Sequence, residues 1–131
     1  MRHKWLFFAG VMLVLLLALT FAVGHRPFRN LEASDIQSAS VELLPPDVTI
    51  PLDRDEIAIL ASLLREIRVT RRDDSYTKYG GQMVRFTLTL TNGSTTAVTA
   101  YNPFLILDGQ GWRTAYEPCE ALNAFGNRLN Q

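Results

Sequence analysis

Histidine supplies most general bases and many metal ligands near neutral pH, and this 131-residue chain contains two, His3 and His25. Both flank an apolar run at residues 5–23, so the folded domain expected after that run contains none. Such a domain lacks the base of Ser-His and Cys-His catalytic pairs and the commonest metal ligand. We therefore expect no catalytic residues, no cofactor and no metal site.

Cys119 is the single cysteine of the chain and lies in the stretch AYEPCEAL. The first turn of a helix can lower the pKa of a thiol, but Glu117 and Glu120 flank Cys119 and oppose that effect. Leu122 and Leu129 follow at helical spacing, which places Cys119 on the stripe that should be buried. We interpret it as a core residue, with an intermolecular disulfide and a reactive thiol as the alternatives.

Three carboxylates, Asp108, Glu117 and Glu120, are expected near one end of the predicted sheet, and paired carboxylates can hydrolyse glycosidic bonds. Each of the first two also has a structural explanation. Asp108 precedes Gly109 in a turn, and Glu117 is an acid at a helix start. A non-enzymatic domain is the favoured prediction. A small hydrolase or inhibitor-like module that uses carboxylates or Cys119 is the alternative.

Aromatic residues supply the candidate ligand or partner surface. Two of them lie in the loop SYTKYGGQ beside two glycines, and others follow in the predicted strands. Such rings can line a groove for a peptide or a glycan, although rings that merely close the ends of a sheet are more common. The candidate surface comprises Tyr76, Tyr79, Tyr101, Trp112 and Tyr116.

The N-terminal run at residues 5–23 contains 19 consecutive uncharged residues. As a helix it would be about 28 Å long, close to the ~30 Å hydrocarbon core of a bilayer. It predicts an N-terminal transmembrane helix, with residues 1–24 as a membrane anchor and the lipid bilayer as a partner. Its length favours an uncleaved anchor over a secretion signal that is removed near Gly24. Because no cysteine follows the run directly, a lipid anchor is excluded.

The domain organisation follows from this assignment. Residues 25–33 are predicted to be a juxtamembrane linker, and residues 34–131 a single extracytoplasmic domain of a single-pass cell-membrane protein. Secretion after cleavage is the alternative localisation. Residues 25–131 carry 11 of the 13 basic and all 13 acidic residues, a net charge of about −2. That balance argues against a nucleic-acid partner.

Hydrophobic patterning predicts an α+β domain, one antiparallel sheet of five to six strands with two helices packed on it, in the order β-α-β-β-β-β-β-α. Asp53, with Glu56 three residues later, predicts a capped helix at 54–66, and Pro118 predicts the start of a terminal helix at 117–130. A four-residue turn is predicted at 108–111. Strands are predicted at 35–44, 68–72, 82–91, 94–101, 104–107 and 112–116.

Two runs, KYGGQMVRFTLTLTNGS and DGQGWRTAYEPCEALN, are similar to small uncharacterised α+β proteins of Gram-positive, clostridial bacteria. Those proteins join an N-terminal membrane or lipoprotein anchor to one compact domain. The resemblance covers roughly residues 27–130, and the lipobox that some members use is missing here. It implies no activity and no site residue.

These patterns together predict a non-enzymatic, membrane-tethered binding or interaction domain. Its ligand is expected to be a protein, a peptide or the cell wall, and its partner an envelope protein or a cell-wall component.

Overall fold

The structure, a computed structural model, describes the backbone of residues 2–131 and the side chains of residues 3–17 and 24–131. Within these residues the chain forms three α-helices and seven strands, with short 3-10 turns before β1 and after β3. In chain order the elements are α1 (Arg2–Val23), β1 (Ile36–Leu44), β2 (Val48–Pro51), α2 (Arg54–Arg65), β3 (Val69–Arg72), β4 (Met83–Leu90), β5 (Thr95–Tyr101), β6 (Phe104–Leu107), β7 (Gln110–Thr114) and α3 (Tyr116–Arg128).

The seven strands form one antiparallel sheet in the order β2-β1-β4-β5-β6-β7-β3. Strands β4 to β7 make a meander, and α2 carries the chain from the β2 edge to the β3 edge. The predicted α+β class with one antiparallel sheet is confirmed, but the strand number is seven rather than five to six. The missed strand is β2, which has four residues and ends at Pro51. Proline is tolerated there because β2 is an edge strand.

Helix α2 begins where the sequence predicts. Asp53 is its N-cap, with its side chain accepting a 2.8 Å hydrogen bond from the backbone N–H of Glu56. The Glu56 carboxylate accepts a 2.8 Å bond from the N–H of Asp53, which completes the capping box. Four side chains at helical spacing face the sheet and are buried: Ile57, Leu60, Ala61 and Leu64.

Helices α2 and α3 cover one face of the sheet, which we call the helix face. Alternate residues of β1 and β4, such as Val41 and Phe86, point into the core there and are fully buried. The Phe86 ring stacks on Phe125 of α3 with 6.0 Å between ring centroids. Each such side chain contributes about 1.5–3 kcal/mol through burial, so this face supplies most of the stability of the domain.

The opposite face of the sheet, which we call the outer face, carries no helix among the described residues. Most of its side chains are polar, such as Arg85 and Thr87 of β4. Toward β6 the outer face becomes apolar, and a small second cluster of Tyr101, Phe104 and Ile106 is buried there. The chain between β3 and β4 passes over this cluster and covers it in part.

The turn between β6 and β7 is tighter than predicted. Leu107 pairs directly with Gln110, so Asp108 and Gly109 form a two-residue hairpin turn, both with positive φ.

The predicted N-terminal transmembrane helix is wrong. A bilayer-spanning helix needs about 20 consecutive apolar residues, and among the described residues no helix combines that length with that apolar character. Helix α1 runs from Arg2 to Val23, and its described side chains cover residues 3–17.

The segment predicted as a linker, residues 25–33, packs against the domain. His25 forms an antiparallel bridge with Val69 of β3, through two backbone hydrogen bonds of 2.9 Å. Phe28 and Leu31 pack on the main core. This segment therefore covers part of the β3 edge, which protects an otherwise open strand edge.

Candidate ligand-binding site

Three of the five predicted surface aromatics meet around a residue that was not predicted, Phe104. The ring centroids of Tyr76, Tyr79 and Tyr101 lie 6.3, 5.7 and 6.5 Å from that of Phe104. Tyr101 belongs to β5 and is only 8% exposed, whereas Tyr79, from the loop before β4, is 60% exposed. The outer face therefore carries an aromatic cluster with a buried base and one exposed ring.

The other two predicted residues do not join this cluster. Trp112 points to the helix face, where its ring packs edge-on against His25 at 5.9 Å and beneath the Arg72 guanidinium at 5.5 Å. Tyr116 opens α3 and is 60% exposed. Its backbone carbonyl accepts a 3.0 Å hydrogen bond from the Asn102 side chain, but its ring lies outside the cluster.

Beside the aromatic cluster lies a cavity of about 230 Å³, which we call the aromatic pocket. Two connections and three strands supply its walls: the loop before β4, the short β5–β6 connection, the end of β5, the start of β6 and β7. Its lining residues are Tyr79, Gly80, Tyr101, Asn102, Pro103, Phe104 and Arg113.

A close backbone approach positions the loop that carries Tyr76 and Tyr79. A Cβ at Gly111 would lie 2.3 Å from the carbonyl oxygen of Asp73 and 2.6 Å from the Tyr76 ring, so only glycine allows this loop to rest on β7. The Gly111 N–H donates a 2.8 Å hydrogen bond to the Asp74 carboxylate. The Tyr76 hydroxyl donates a 3.2 Å bond to the Gly109 carbonyl.

Two carboxylates stabilise the loop that carries Tyr76 and Tyr79. Hydrogen bonds from Ser75 and Arg113 hold the pKa of Asp73 well below its usual range. The backbone bond from Gly111, with the ion pair to Arg72, lowers the pKa of Asp74. Both acids are therefore charged near neutral pH and act as structural acceptors.

Arg113 forms one wall of the aromatic pocket and is held in place from two sides. Its Nε donates a 2.8 Å hydrogen bond to Asp73, and its guanidinium carbon lies 4.6 Å from the centre of the Phe104 ring. Such a cation–π contact fixes the plane of the guanidinium. The two terminal nitrogens make no hydrogen bond to the rest of the described chain.

Two buried side-chain atoms lack a hydrogen-bond partner within the described residues, and both belong to residues that line the aromatic pocket. They are the hydroxyl of Tyr101 and the carbonyl oxygen Oδ1 of Asn102. The orientation of the Asn102 amide follows from its nitrogen, which faces the Tyr116 carbonyl at 3.0 Å and the Glu120 carboxylate at 3.5 Å. Unpartnered buried polar atoms are uncommon in native proteins and call for an explanation.

Cys119 lies in the core, as its position on the apolar stripe predicted. Its side chain is 0% exposed, and its thiol faces the Phe104 carbonyl at 3.6 Å. Burial raises the pKa of this thiol to about 12, and the charge of Glu120 adds to the effect. The thiol is therefore protonated and shielded at neutral pH, which is the reverse of what a nucleophile needs.

The three candidate carboxylates do not come together. Asp108 follows the end of β6, where it accepts a 2.8 Å bond from the Ala97 N–H. Glu120 lies beyond the start of β6, beside Asn102. The length of that four-residue strand, about 13 Å, separates them. Within the described residues no group of three or more histidine, cysteine, aspartate or glutamate side chains is arranged to hold a metal ion.

Comparison with models of known protein families, with curated proteins and with solved structures finds no match for this chain.

The candidate surface predicted from the sequence did not include Asn102, Pro103, Phe104 and Arg113. A signal for Phe104 was present, because β6 reads as four consecutive apolar residues. Such a strand is buried on both faces, which indicates that the outer face of β6 is also covered.

Proposed function

We propose that residues 34–131 form a non-enzymatic binding domain whose aromatic pocket holds one aromatic side chain of a peptide segment. The observation that carries this proposal is that two residues lining the cavity, Tyr101 and Asn102, each have a buried polar atom with no hydrogen-bond partner among the described residues. In a site with a ligand, a peptide group would supply the missing hydrogen bonds.

The size of the aromatic pocket supports a single residue as its occupant. Sites for whole small molecules measure about 300–1,000 Å³, whereas this cavity measures about 230 Å³. The exposed Tyr79 ring and the Phe104 ring at its base offer stacking and edge-to-face partners to a third ring. A pocket for one side chain suits an extended chain that continues outside the pocket.

Ligand contact with the two polar atoms requires a small rearrangement, since both are covered from solvent. Gly81 lies against Tyr101, and a Cβ built on this glycine would be 3.7 Å from the hydroxyl oxygen. Gly80 and Gly81 are both exposed. Displacement of this short segment would open the hydroxyl to a ligand without disturbing the helix face.

Titration of the ¹⁵N-labelled full chain with two neutral tripeptides tests the proposal. Acetyl-Gly-Phe-Gly-amide should shift the amide resonances of Gly80 and Phe104 at millimolar concentration, while acetyl-Gly-Ala-Gly-amide should not. If neither peptide shifts them, the proposal is wrong. A shift produced by methyl β-glucoside but not by the phenylalanine peptide would identify a glycan site instead.

Two tyrosines of equal exposure provide a matched pair of variants. Tyr79 lines the aromatic pocket and Tyr116 does not, although each is 60% exposed. Tyr79→Ala should lower the affinity for the phenylalanine peptide by about fivefold, since an aromatic pair contributes roughly 1 kcal/mol to binding. Tyr116→Ala should leave its affinity unchanged, and equal losses in both variants would contradict the assignment.

A further inference from the structure

We infer that the aromatic pocket recognises a carboxylate next to the aromatic side chain, with Arg113 as the residue that binds it. This inference rests on the proposed function and adds the charge of the ligand. It follows from the geometry of Arg113, from the net charge around it and from the polarity of the opposite wall.

Arg113 is oriented and has unused donors. Its Nε is taken by Asp73, and its plane is fixed on the Phe104 ring. The terminal N–H groups make no hydrogen bond to the rest of the described chain and belong to a residue that lines the cavity. A guanidinium held in this way matches a planar carboxylate, which can accept two parallel N–H bonds.

The charge beside Arg113 also favours an anion. Arg71 of β3 is the cross-strand neighbour of Arg113, so both side chains lie on the outer face. Asp73 compensates one of these two charges, and Asp74 is paired with Arg72. Arg71 is exposed and makes no ion pair among the described residues, which leaves one positive charge in excess beside Arg113.

The wall formed by Asn102 has the opposite polarity. Its acceptor Asn102 Oδ1 has no partner among the described residues and is covered from solvent until the pocket rearranges, and the Glu120 carboxylate lies 3.5 Å from the amide nitrogen of the same side chain. A peptide residue with a carboxylate on one side and a backbone N–H on the other matches both walls. A chain terminus or an acidic side chain next to the aromatic residue can supply such a carboxylate.

Three peptides distinguish these sources. Acetyl-Gly-Gly-Phe with a free C-terminus and acetyl-Gly-Phe-Glu-amide carry the carboxylate, and acetyl-Gly-Gly-Phe-amide lacks it. With the full chain, at least one acidic peptide should bind about tenfold more tightly than the amide, as expected for charge-assisted hydrogen bonds. The tighter of the two acidic peptides identifies the source.

The failure of this inference differs from the failure of the proposed function. If all three peptides bind with equal affinity, the carboxylate inference is wrong and the aromatic pocket stands as a binding site. If none binds, the proposed function is wrong as well.

A matched pair of arginines tests the assigned residue. Arg113 and Arg85 both lie on the outer face, with side chains 33% and 39% exposed, and each pairs with one carboxylate. Arg113→Gln should abolish the preference for the acidic peptide, and Arg85→Gln should preserve it. Should Arg113→Gln fail to fold, Arg71→Gln provides the test, because the side chain of this exposed residue makes no hydrogen bond or ion pair within the described part of the chain. Arg71→Gln should reduce the preference for the acidic peptide over the amide about two- to threefold. An unchanged preference would overturn the inference.

Discussion

The two faces of the sheet use the same strands in different ways. On the helix face, alternate residues of β1 and β4 meet the apolar stripes of α2 and α3 in a continuous core. On the outer face, the buried cluster is small, and two buried polar atoms, one in the cluster and one beside it, have no hydrogen-bond partner among the residues that the structure describes. Stability is therefore concentrated on one face, and the other is free to carry a site whose hydrogen bonds are completed by a ligand.

Removing a large ring from each face should show this difference most clearly. Phe86 is fully buried on the helix face, and Phe86→Ala should lower the free energy of unfolding by about 3–5 kcal/mol. Tyr79→Ala on the outer face should change it by less than about 1 kcal/mol, because the ring is largely exposed. Urea unfolding of both variants measures the two effects, and similar losses would refute the division between the faces.

Two glycines allow close packing, one on each face. A Cβ at Gly126 would lie 2.3 Å from a methyl group of Val84, and one at Gly111 would meet the Asp73 carbonyl at the same distance. Each substitution by alanine should cost about 1–3 kcal/mol through overpacking. Gly111→Ala should also shift the Tyr79 and Gly80 amide resonances, as the loop is displaced from β7. The same shifts in Gly126→Ala would show that the two faces are not independent.

Removing either of two tyrosine hydroxyls on the outer face should change the free energy of unfolding, but in opposite directions. Tyr101→Phe removes a buried hydroxyl that has no hydrogen-bond partner within the described residues and should raise the free energy of unfolding by about 1 kcal/mol. Tyr76→Phe removes the donor to the Gly109 carbonyl and should lower it by about 0.5 kcal/mol. Chemical denaturation measures both values. A loss of stability in Tyr101→Phe would mean that this hydroxyl has a partner in the folded protein.

As the pH falls, the strand pair β3–β7 and the loop that rests on it should lose stability before the core of the helix face does. In the folded protein, Asp73 and Asp74 have pKa values below the ordinary 3.8. Their contribution to the free energy of unfolding is therefore complete above that pH. It is lost as the pH falls from about 4 through the lowered folded pKa values.

The Asp73→Asn variant should therefore lose stability less steeply below pH 4 than the parent chain. Asp47→Asn, at the exposed β1–β2 turn near the opposite edge of the sheet, serves as the control substitution. Thermal unfolding followed between pH 2 and pH 6 measures these slopes.

The elements that local physics specifies were predictable from the sequence. The Asp53–Glu56 capping box fixed the start of α2, because both partners lie within one helical turn. Period-two alternation identified β1 and β4, since one face of each is continuously buried. The stripe through Cys119 and Leu122 placed the thiol in the core for the same reason.

Two features of the fold were not predicted correctly from the sequence. Strand β2 pairs with β1 although two prolines precede it and Pro51 is its last residue, and this is tolerated because an edge strand leaves one row of backbone groups unpaired. The transmembrane prediction rested on the length and the uncharged composition of residues 5–23, and no helix among the described residues meets its requirements.

The sequence by itself determined the fold class, the capped helix and the buried thiol, because each follows from spacing along a single element. It also supplied the aromatic residues from which the candidate surface was built. Tertiary structure alone decided which of them meet. The pairing of β5, β6 and β7 brought Tyr101, Phe104 and Arg113 together on the outer face, and the same pairing turned Trp112 to the other side. Neighbouring residues of a strand point to opposite faces, so a shared site depends on strand register and on the loop that Gly111 admits.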